Sequence, residues 1–556
     1  MSSLLGCEKA DRLVRTSSDS LNRVTQQAIA DTTKAGSDVK AITDEISGMV
    51  SARGGVWKLD ETDGEIQVNA GGTVFPVSRQ ALLMPAMVRK YISVLLMHHA
   101  NGLPRDENGR VYLEVSPAYF EAFLDELTLY KTGRTNRVEL HVSSKRADPS
   151  SSDYHALFMQ EIHCYSHAGP AAASASVEPT ADSDGGGGDG ESGGATDDVD
   201  TAIQRSVRAY EYALRTHAKA YKGLELVRDE IKRFLTAMEP FFASQDGGES
   251  QVLTLTDNVG RPVSVMRKTL MRLGPDHPLL TRFSTTPPCW DGRQVDKTPA
   301  RHFVKIVDFA RRIATLPPGQ LIRPPLVEQG KMRHFIEDTE MYGFKYQPYC
   351  RRPADGHEYV AKSAEEWGRV VAMTGKNAAT PTLVYKSSRD TFAYGPFLQK
   401  VNGKSGLLFA LRDGDTHRFG AFIDGPLTPP ADPTETNCYK APVFFFSLSG
   451  AYDAPTKIEM PEDSQWVNLA GTQGVVKDTE DEPLANVGIG GGAAALWLGF
   501  AVPGPAADLS SCQQWLGRDE LPDGYKGQTN HQDRGTLANK KLRFTCKELE
   551  VWHMRR

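Results

Sequence analysis

Two short clusters near the end of the chain combine hydroxyl, thiol and charged side chains, as nucleophilic catalysis would require. The first is SSRD at 387–390 and the second is SSC at 510–512. A serine or cysteine nucleophile needs a histidine within hydrogen-bonding distance, held in place by a third group. His417, His531 and His553 occur in the same region, but the sequence does not bring them to either cluster. The pattern therefore favours structural roles over catalysis.

One such role is a helix cap. Asp390 is predicted to cap a helix that begins near Thr391, by accepting backbone amide hydrogen bonds worth about 1 kcal/mol.

A glycine-rich string, GIGGG at 488–492, is the one segment that resembles a phosphate-binding loop. Such a loop follows a strand and opens a helix, so that backbone amides can meet the phosphates. Here the apolar run 493–502 follows, and the string does not continue into a G-K-[ST]. We expect a glycine turn that enters a buried strand, and no nucleotide or other cofactor.

Histidine and cysteine do not form a recognisable metal site. His98 and His99 are adjacent on a helix-like stretch, so their rings are expected to point in different directions, and His163–Cys164 lacks the paired cysteines of a zinc site. The seven cysteines are scattered, odd in number and without C-x-x-C, which favours a reducing compartment. No bound metal is predicted.

Composition describes a protein with several cores. The chain has 556 residues, 40% of them apolar and 24% charged, which predicts roughly three or four domains. The net charge is −6, and eight acidic residues lie in 178–200, a stretch without lysine or arginine. The rest is near neutral, which excludes a nucleic-acid footprint, and no apolar run reaches the roughly 18–20 residues of a membrane span. We expect a soluble, cytoplasmic protein.

Two helical coils separate the other segments. The first covers 1–52, and the second covers 201–243 with apolar residues at alternating steps of four and three, as in a coiled coil. Its predicted oligomerisation seam is formed by Ile203, Val207, Tyr210, Leu214, Tyr221, Leu224, Ile231 and Leu235. His217 and Arg228 are polar members of the same seam. Between the coils, the Gly/Ser/Ala-rich acidic stretch 169–200 buries too little apolar surface to fold and is predicted to be a disordered linker.

Three ordered motifs in the last 175 or so residues resemble a TLDc domain. They are LVYKSSRDTF at 383–392, GGGAAALWL at 490–498 and LRFTCKELEVW at 542–552, and SSC at 510–512 resembles an S-x-x-C pattern of that family. The matching residues are Ser388, Arg389, Asp390, Gly490, Trp497, Cys512, Glu550 and Trp552. The resemblance implies a β-sandwich flanked by helices over 376–556, without established catalytic residues, in a family linked to oxidation resistance and V-ATPase binding. The polar segment 461–487 is expected to be a surface loop of this domain.

A second resemblance covers the region after the first coil. EIQVNAGGTVFPVSRQALL at 65–83 predicts a hairpin followed by a helix, and a strand, a proline and an amphipathic helix follow at 106–133. This order resembles a BTB/POZ domain of the potassium-channel tetramerisation (KCTD) type. The motif residues are Val68, Gly71, Gly72, Thr73, Phe75, Pro117 and Phe120. The domain is expected over 60–168, with an insertion at 135–153 and a closing helix at 155–166.

The same order is predicted once more, in divergent form, over 250–346. Its hairpin and helix lie at 253–270, its strand-proline-helix element at 292–312 and its closing helix at 331–344. Each copy follows a coil, so coil plus BTB-like domain repeats with a period near 180 residues.

The sequence thus predicts an α+β multidomain protein of coil, BTB/POZ-like domain, linker, coil, second BTB/POZ-like domain and TLDc domain. Its expected function is a non-enzymatic scaffold that homo-oligomerises through the BTB-like domains and coils and presents TLDc domains. Tetramerisation-type BTB domains form rings, so two chains would form a dimer with a pseudo-fourfold ring. The alternative is a substrate adaptor of a cullin-type ubiquitin ligase, and the sequence does not decide between the two.

Overall fold

The computed structural model describes residues 2–140, 149–166, 195–244, 248–284, 294–352, 357–376, 380–477, 483–491, 494–527, 529–539 and 541–555. The chain divides into two compact units, Met1–Thr315 and Leu316–Arg556, here called the N-terminal and C-terminal units. No helix among the described residues is both long enough and apolar enough to cross a membrane.

The N-terminal unit contains nine helices and six strands within its described residues. In chain order they are α1 (Ser2–Ser51), β1 (Glu65–Ala70), β2 (Thr73–Ser78), α2 (Arg79–Leu82), α3 (Tyr91–His98), β3 (Val111–Leu113), α4 (Pro117–Lys131), α5 (Pro149–Phe158), α6 (Ala195–Met238), β4 (Val252–Asp257), β5 (Pro262–Met266), α7 (Arg267–Met271), α8 (Pro278–Phe283), β6 (Gln294–Val295) and α9 (Ala300–Thr315).

The two long helices, α1 and α6, pack against each other within the chain. Tyr210 donates to Asp31 at 2.9 Å and Lys232 pairs with Glu45 at 2.9 Å, so the two helices run in the same direction. The seam is best packed towards its C-terminal end, where Ile46 of α1 is fully buried. Towards the N-terminal end the apolar side chains lie open to solvent. Leu21 is 56% exposed, Val24 66% and Val207 48%.

This pairing changes the role of the predicted seam. Leu224 and Ile231 are buried inside the chain, so the C-terminal half of the seam stabilises the unit itself and is not a free oligomerisation surface. Tyr210, Leu214, Tyr221 and Leu235 are half-buried, and the side chain of Ile203 lies outside those that the structure describes.

Each long helix leads into a small α/β module. In the first module β1 pairs antiparallel with β2 and parallel with β3, giving the order β2-β1-β3. In the second, β4 pairs antiparallel with β5 and parallel with β6, giving β5-β4-β6. The predicted hairpins are therefore present in both places, and the two modules share one strand order.

Two boundaries in this unit differ from the sequence-based expectation. Helix α6 begins at Ala195, inside the predicted linker 169–200, and 167–194 lie outside the described residues. Of the predicted insertion 135–153, 141–148 also lie outside them. The predicted closing helix at 155–166 is instead α5, which ends at Phe158, followed by a short 3₁₀ turn at Cys164–Ser166.

The predicted second closing helix belongs to the other unit. The N-terminal unit ends at Thr315, whereas the second BTB-like domain was expected to reach residue 346. The helix found near 331–344 is Met332–Met341, where Phe335 packs on Tyr346 with ring centroids 6.0 Å apart. Amphipathic periodicity predicts that a helix is present but not which core it packs against. The helix was for this reason placed in the domain 250–346.

The C-terminal unit contains the remaining elements. In chain order they are β7 (Leu321–Ile322), α10 (Met332–Met341), β8 (Tyr349–Cys350), α11 (Ala364–Met373), β9 (Thr380–Lys386), α12 (Ser387–Asp390), α13 (Tyr394–Val401), β10 (Leu407–Asp413), β11 (His417–Ile423), β12 (Thr436–Lys440), β13 (Val443–Ser449), β14 (Thr456–Glu459), β15 (Trp466–Ala470), β16 (Val476–Lys477), β17 (Pro483–Ala485), β18 (Val487–Gly491), β19 (Ala494–Leu498), β20 (Ser511–Gly517), β21 (Arg534–Gly535) and β22 (Arg543–Arg555).

Twelve of these strands form one sheet whose halves share the long strand β22. The strand order is β12-β15-β18-β19-β20-β22-β10-β11-β13-β14, with β21 beside β20 and β9 beside β22. One core contains side chains from both halves, such as Phe409 and Phe445 on one side and Leu496 on the other, so the halves face each other as a sandwich. A second core, around Trp552 and Trp367, lies under α11. The predicted sandwich flanked by helices is present.

The polar segment 461–487 is not simply a surface loop. It contains β15, which pairs with β12 and β18 and buries Val467 and Leu469 in the core. These apolar residues alternate with polar ones, as in a half-buried strand. Its residues 478–482 lie outside the described part.

Candidate functional site

Residues of the motifs at 383–392 and 542–552 form ion pairs around a buried lysine. Lys386 is the last residue of β9, and its Nζ lies 2.9 Å from Glu550 Oε1 and 3.2 Å from Glu548 Oε2, both on β22. It also donates to the carbonyl of Glu358 at 2.6 Å. The side chains of Lys386 and Glu550 are 3% and 1% exposed, so this ion cluster is closed to solvent.

Glu548 holds the start of α12 in place. Its Oε1 accepts the hydroxyl of Ser387 at 2.6 Å and the backbone N–H of Ser388 at 3.0 Å. Burial opposes ionisation, but these hydrogen bonds and the charge of Lys386 outweigh it and lower the pKa of Glu548. The oxygen of Ser387 in turn accepts the N–H of Leu549 at 2.9 Å.

Glu550 has three hydrogen-bonding partners. It accepts the N–H of Val360 at 3.0 Å and the indole N–H of Trp552 at 3.1 Å, in addition to Lys386. Burial raises the pKa of Glu550 more than the charge of Lys386 and the hydrogen bonds lower it. One lysine thus pairs with two carboxylates, of which Glu548 has a lowered pKa and Glu550 a raised pKa. We call Lys386, Ser387, Glu548 and Glu550 the carboxylate cluster.

Asp390 lies next to this cluster but does not cap the helix predicted near Thr391. Its Oδ2 accepts the backbone N–H of Lys386 at 3.0 Å, and its Oδ1 accepts Lys400 at 3.0 Å. The short helix α12 ends at Asp390, and Thr391 has a φ of 65°, outside the helical region. Burial opposes ionisation, but hydrogen bonds from Arg389, Lys386 and Lys400 hold the pKa of Asp390 well below its usual range.

The carboxylate cluster is built for holding segments together. It ties β9 and α12 to β22 and to the segment around Val360, and its polar atoms bond one another, the backbone or the indole of Trp552. The hydroxyl of Ser387 both donates and accepts inside a residue that is 4% exposed, so it is not presented to a substrate. Among the described residues no group of three or more His, Cys, Asp and Glu is arranged to hold a metal ion.

The second cluster, SSC at 510–512, is also held by contacts within the fold. Ser510 bonds Asp508 at 2.5 Å, and Cys512 is 1% exposed with its thiol directed at the carbonyl of Leu509 at 3.3 Å. Burial, and contact with the thiol of Cys546, raise the pKa of Cys512 well above its usual value. Its reactive thiolate form is therefore suppressed.

The glycine-rich string lies within a strand rather than in a turn before one. Gly488 and Gly490 belong to β18, which pairs with β19, so a strand follows where a dinucleotide loop would need a helix. Trp497 on β19 packs against Trp515 with ring centroids 5.0 Å apart. The segment is part of the sandwich core.

The adjacent histidines of the N-terminal unit fasten the end of α1 to the first module. His98 Nδ1 lies 2.9 Å from the carbonyl of Val56, and His99 Nδ1 lies 3.2 Å from that of Arg53. Contrary to expectation, both rings contact the same residue, Tyr165, whose hydroxyl is 2.6 Å from His99 Nε2. Burial lowers the pKa of His99 to about 4.

A second buried ion pair joins the two modules. Arg311 on α9 donates to Glu114, just after β3, at 2.8 Å, and both side chains are fully buried. The other carboxylate oxygen accepts the N–H of Met266 at 2.6 Å and the hydroxyl of Thr269 at 3.1 Å. Burial raises the pKa of Glu114 despite the opposite charge of Arg311.

Backbone contacts extend this interface. Ser264 on β5 donates its N–H to the carbonyl of Gly71 at 3.0 Å, and its own carbonyl accepts the hydroxyl of Tyr112 at 2.8 Å. A Cβ at Gly72 would lie 2.5 Å from the carbonyl oxygen of Pro262, so only glycine permits this approach. The turn therefore serves the contact between the modules as well as the hairpin.

The other motif residues of the first module are structural. Val68 and Phe120 are fully buried, Phe75 packs on Phe120 with centroids 5.5 Å apart, and Pro117 opens α4. Thr73, which begins β2, is exposed.

Sequence reasoning missed the residues that complete both ion clusters. Lys386 and Glu548 were within the quoted motifs but were given no role, and Ser387 was considered only as a member of the SSRD cluster. A signal was available for Glu548, because it lies two residues before Glu550 and so on the same face of a strand. No comparable signal connects Glu114 to Arg311, which are 197 residues apart.

Comparison with known families agrees with the C-terminal geometry. Residues 369–555 match the family model of the TLDc domain, which covers about a third of the chain. A TLDc domain indicates a function related to oxidative stress. No BTB or KCTD family model matches the N-terminal region. No curated protein is similar enough to the chain to be matched.

Proposed function

We propose that the protein is a non-enzymatic interaction scaffold whose TLDc domain protects against oxidative stress and whose N-terminal unit brings copies together. The carboxylate cluster is the observation that carries the first part. Four side chains from the motifs at 383–392 and 542–552 bond one another inside the domain, so we expect the domain to act through its outer surface. A catalytic site would instead need a nucleophile and a base exposed to substrate.

The N-terminal unit supports self-association because its two modules meet through different surfaces. The first module contributes its hairpin turn and the end of β3, and the second contributes β5, α7 and α9. Such a heterologous contact leaves one surface of each kind unused, and repeating it can close a ring. This head-to-tail arrangement supports our proposal of BTB/POZ-like tetramerisation modules, with two chains forming a ring of four.

The unused surfaces are exposed in the single chain. The turn of the second module carries Val259, which is 64% exposed. The strand β2, which corresponds to β5, is an edge strand that carries the exposed residue Pro76. Pro76 lies where the second module has Ser264, which donates its backbone N–H across the module interface. Because proline has no N–H, a second copy would have to contact β2 through side chains at this position.

Sedimentation velocity of the full chain at micromolar concentration tests self-association. We expect a dimer, and we expect Val259→Asp to convert it to a monomer by placing a charge in the contact. The matched control is Leu226→Asp, since Leu226 is 67% exposed on α6 and away from the module turns. A monomeric wild-type chain, or equal behaviour of the two variants, contradicts the ring.

Survival of peroxide-treated cells tests the protective role. Cells lacking the gene are expected to become sensitive and to be rescued by the full chain. Rescue should fail with Trp552→Ala, because Trp552 is 1% exposed in the core under α11 and its loss unfolds that core. Survival that is the same with and without the protein would contradict the proposal.

A further inference from the structure

A groove on the first module shares no lining residue with the module interface described above. It has a volume of about 930 Å³. Its apolar walls are formed by the segments after α1 and after α2, with the side chains of Trp57, Leu59, Leu83, Pro85 and Val88. A cleft of this size and composition accommodates apolar side chains of a ligand.

The walls are held in place by the histidine pair. The ring of Trp57 stacks on Tyr165 with centroids 4.9 Å apart, and Tyr165 is fixed by His99. His98, which also lines the groove, bonds the carbonyl of Val56 next to Trp57. A groove whose walls are fixed in advance loses little conformational freedom when a ligand binds.

The indole N–H of Trp57, a residue that lines the groove, lacks an acceptor among the described residues. Trp57 Nε1 is buried and, within the described part of the chain, has no hydrogen-bond partner. An indole N–H only donates, and an unmet buried donor is costly. A carbonyl group of a ligand main chain would satisfy it.

The charged side chains that line the groove are both cations. Lys58 and Arg89 are exposed at its rim. Two of the acids near the groove are paired with other cations, since Glu61 bonds Arg79 at 3.1 Å and Glu161 bonds Lys90 at 2.7 Å. The rim therefore favours a negatively charged ligand.

We infer that this groove binds an acidic peptide segment of a partner protein. An apolar side chain of the peptide enters between Trp57 and Val88, a peptide carbonyl accepts from Trp57 Nε1, and flanking Asp or Glu residues face Lys58 and Arg89. Apolar walls, an amide-matching donor and cations at the rim together fit a peptide better than any one of them alone would. The inference does not depend on the proposed self-association or protective role.

Fluorescence anisotropy with the full chain and labelled synthetic peptides tests this inference. The probes are dodecapeptides in which one Leu, Phe or Trp is flanked on both sides by Asp and Glu. Two control sets replace the acids by Lys or the central residue by Ala. We expect at least one acidic peptide to bind, and both control sets to bind at least about tenfold more weakly.

Two charge-reversed proteins locate the binding. Lys58→Glu combined with Arg89→Glu should weaken the acidic peptide by about tenfold or more. The control, Lys34→Glu with Arg134→Glu, changes the net charge equally at exposed positions outside the groove and should leave the affinity unchanged. Equal weakening by both pairs, or no binding of any acidic peptide below about 1 mM, overturns the inference.

Discussion

The two units bury charge in opposite ways. In the N-terminal unit one arginine meets one carboxylate, and each also bonds the backbone of the other module. In the C-terminal unit one lysine meets two carboxylates within a single domain. The arginine–glutamate pair joins two modules, whereas the lysine and its two glutamates join β9 to β22 within one domain.

This difference predicts different consequences of mutation. Loss of Arg311 leaves one fully buried charge, Glu114, at a contact between modules. Loss of Lys386 leaves two carboxylates, of which Glu548 keeps the hydrogen bonds of Ser387 and Ser388. Buried ion pairs contribute little net stability when intact, but a single partner left behind is costly.

Arg311→Met should have the largest effect. We expect the N-terminal unit to lose about 3–5 kcal/mol of its free energy of unfolding, measured by urea denaturation of the full chain. The double variant Arg311→Met with Glu114→Leu should recover most of this loss, because it removes the orphaned carboxylate as well. If the double variant is as unstable as the single one, the pair is not what destabilises the interface.

Lys386→Met should lower the free energy of unfolding of the C-terminal unit by about 3 kcal/mol. The decrease is at the lower end of the range because the hydrogen bonds to Glu548 and Glu550 remain. The matched control is Lys400→Met. Lys400 is 38% exposed in its pair with Asp390, so its loss should cost less than about 1 kcal/mol. Equal losses would show that burial does not decide the outcome, and the comparison between the units would fail.

Acid should destabilise the N-terminal unit selectively through its histidines. The pKa of His99 falls from an ordinary 6.5 to about 4 on folding, so the folded state binds fewer protons than the unfolded state in this range. The contribution of neutral His99 to the free energy of unfolding is present above pH 6.5 and is lost as the pH falls towards 4, by up to about 3 kcal/mol. In urea melts across this range, His99→Gln should show a shallower decline than the wild type. An identical decline would exclude His99 as the cause.

The smallest effect is expected at the open end of the helix pair. Val24→Asp should change the free energy of unfolding by less than about 0.5 kcal/mol, because Val24 is 66% exposed. Ile46→Asp, on the same helix but fully buried, should instead destabilise the unit strongly. Similar melting curves for the two variants would contradict the pairing of α1 with α6.

Local patterns in the sequence predicted the elements well. The alternation around Val68 and the glycine turn predicted the first hairpin, and the motifs at 383–392 and 542–552 located the TLDc domain. The spacing of Leu224 and Ile231 predicted a buried helical seam. Each of these signals is carried by residues close together in the chain.

What the sequence could not give was the partner of each surface. A heptad seam fits a helix of the same chain as well as one from a second copy, and here α1 occupies half of it. The register that brings Glu114 to Arg311 depends on how two modules pack, which no short pattern records. For the same reason the helix Met332–Met341 was recognised but assigned to the wrong unit.

The central claim is that the carboxylate cluster closes the TLDc domain and takes no part in chemistry. The most direct test replaces Lys386 by Met, Glu548 by Met and Glu550 by Leu together, which removes every charge of the cluster. Peroxide survival is then measured with a variant shown to be folded by its thermal melt. We predict that the folded triple variant still rescues sensitive cells. A folded variant that gives no rescue would show that the cluster itself acts, and would contradict the account.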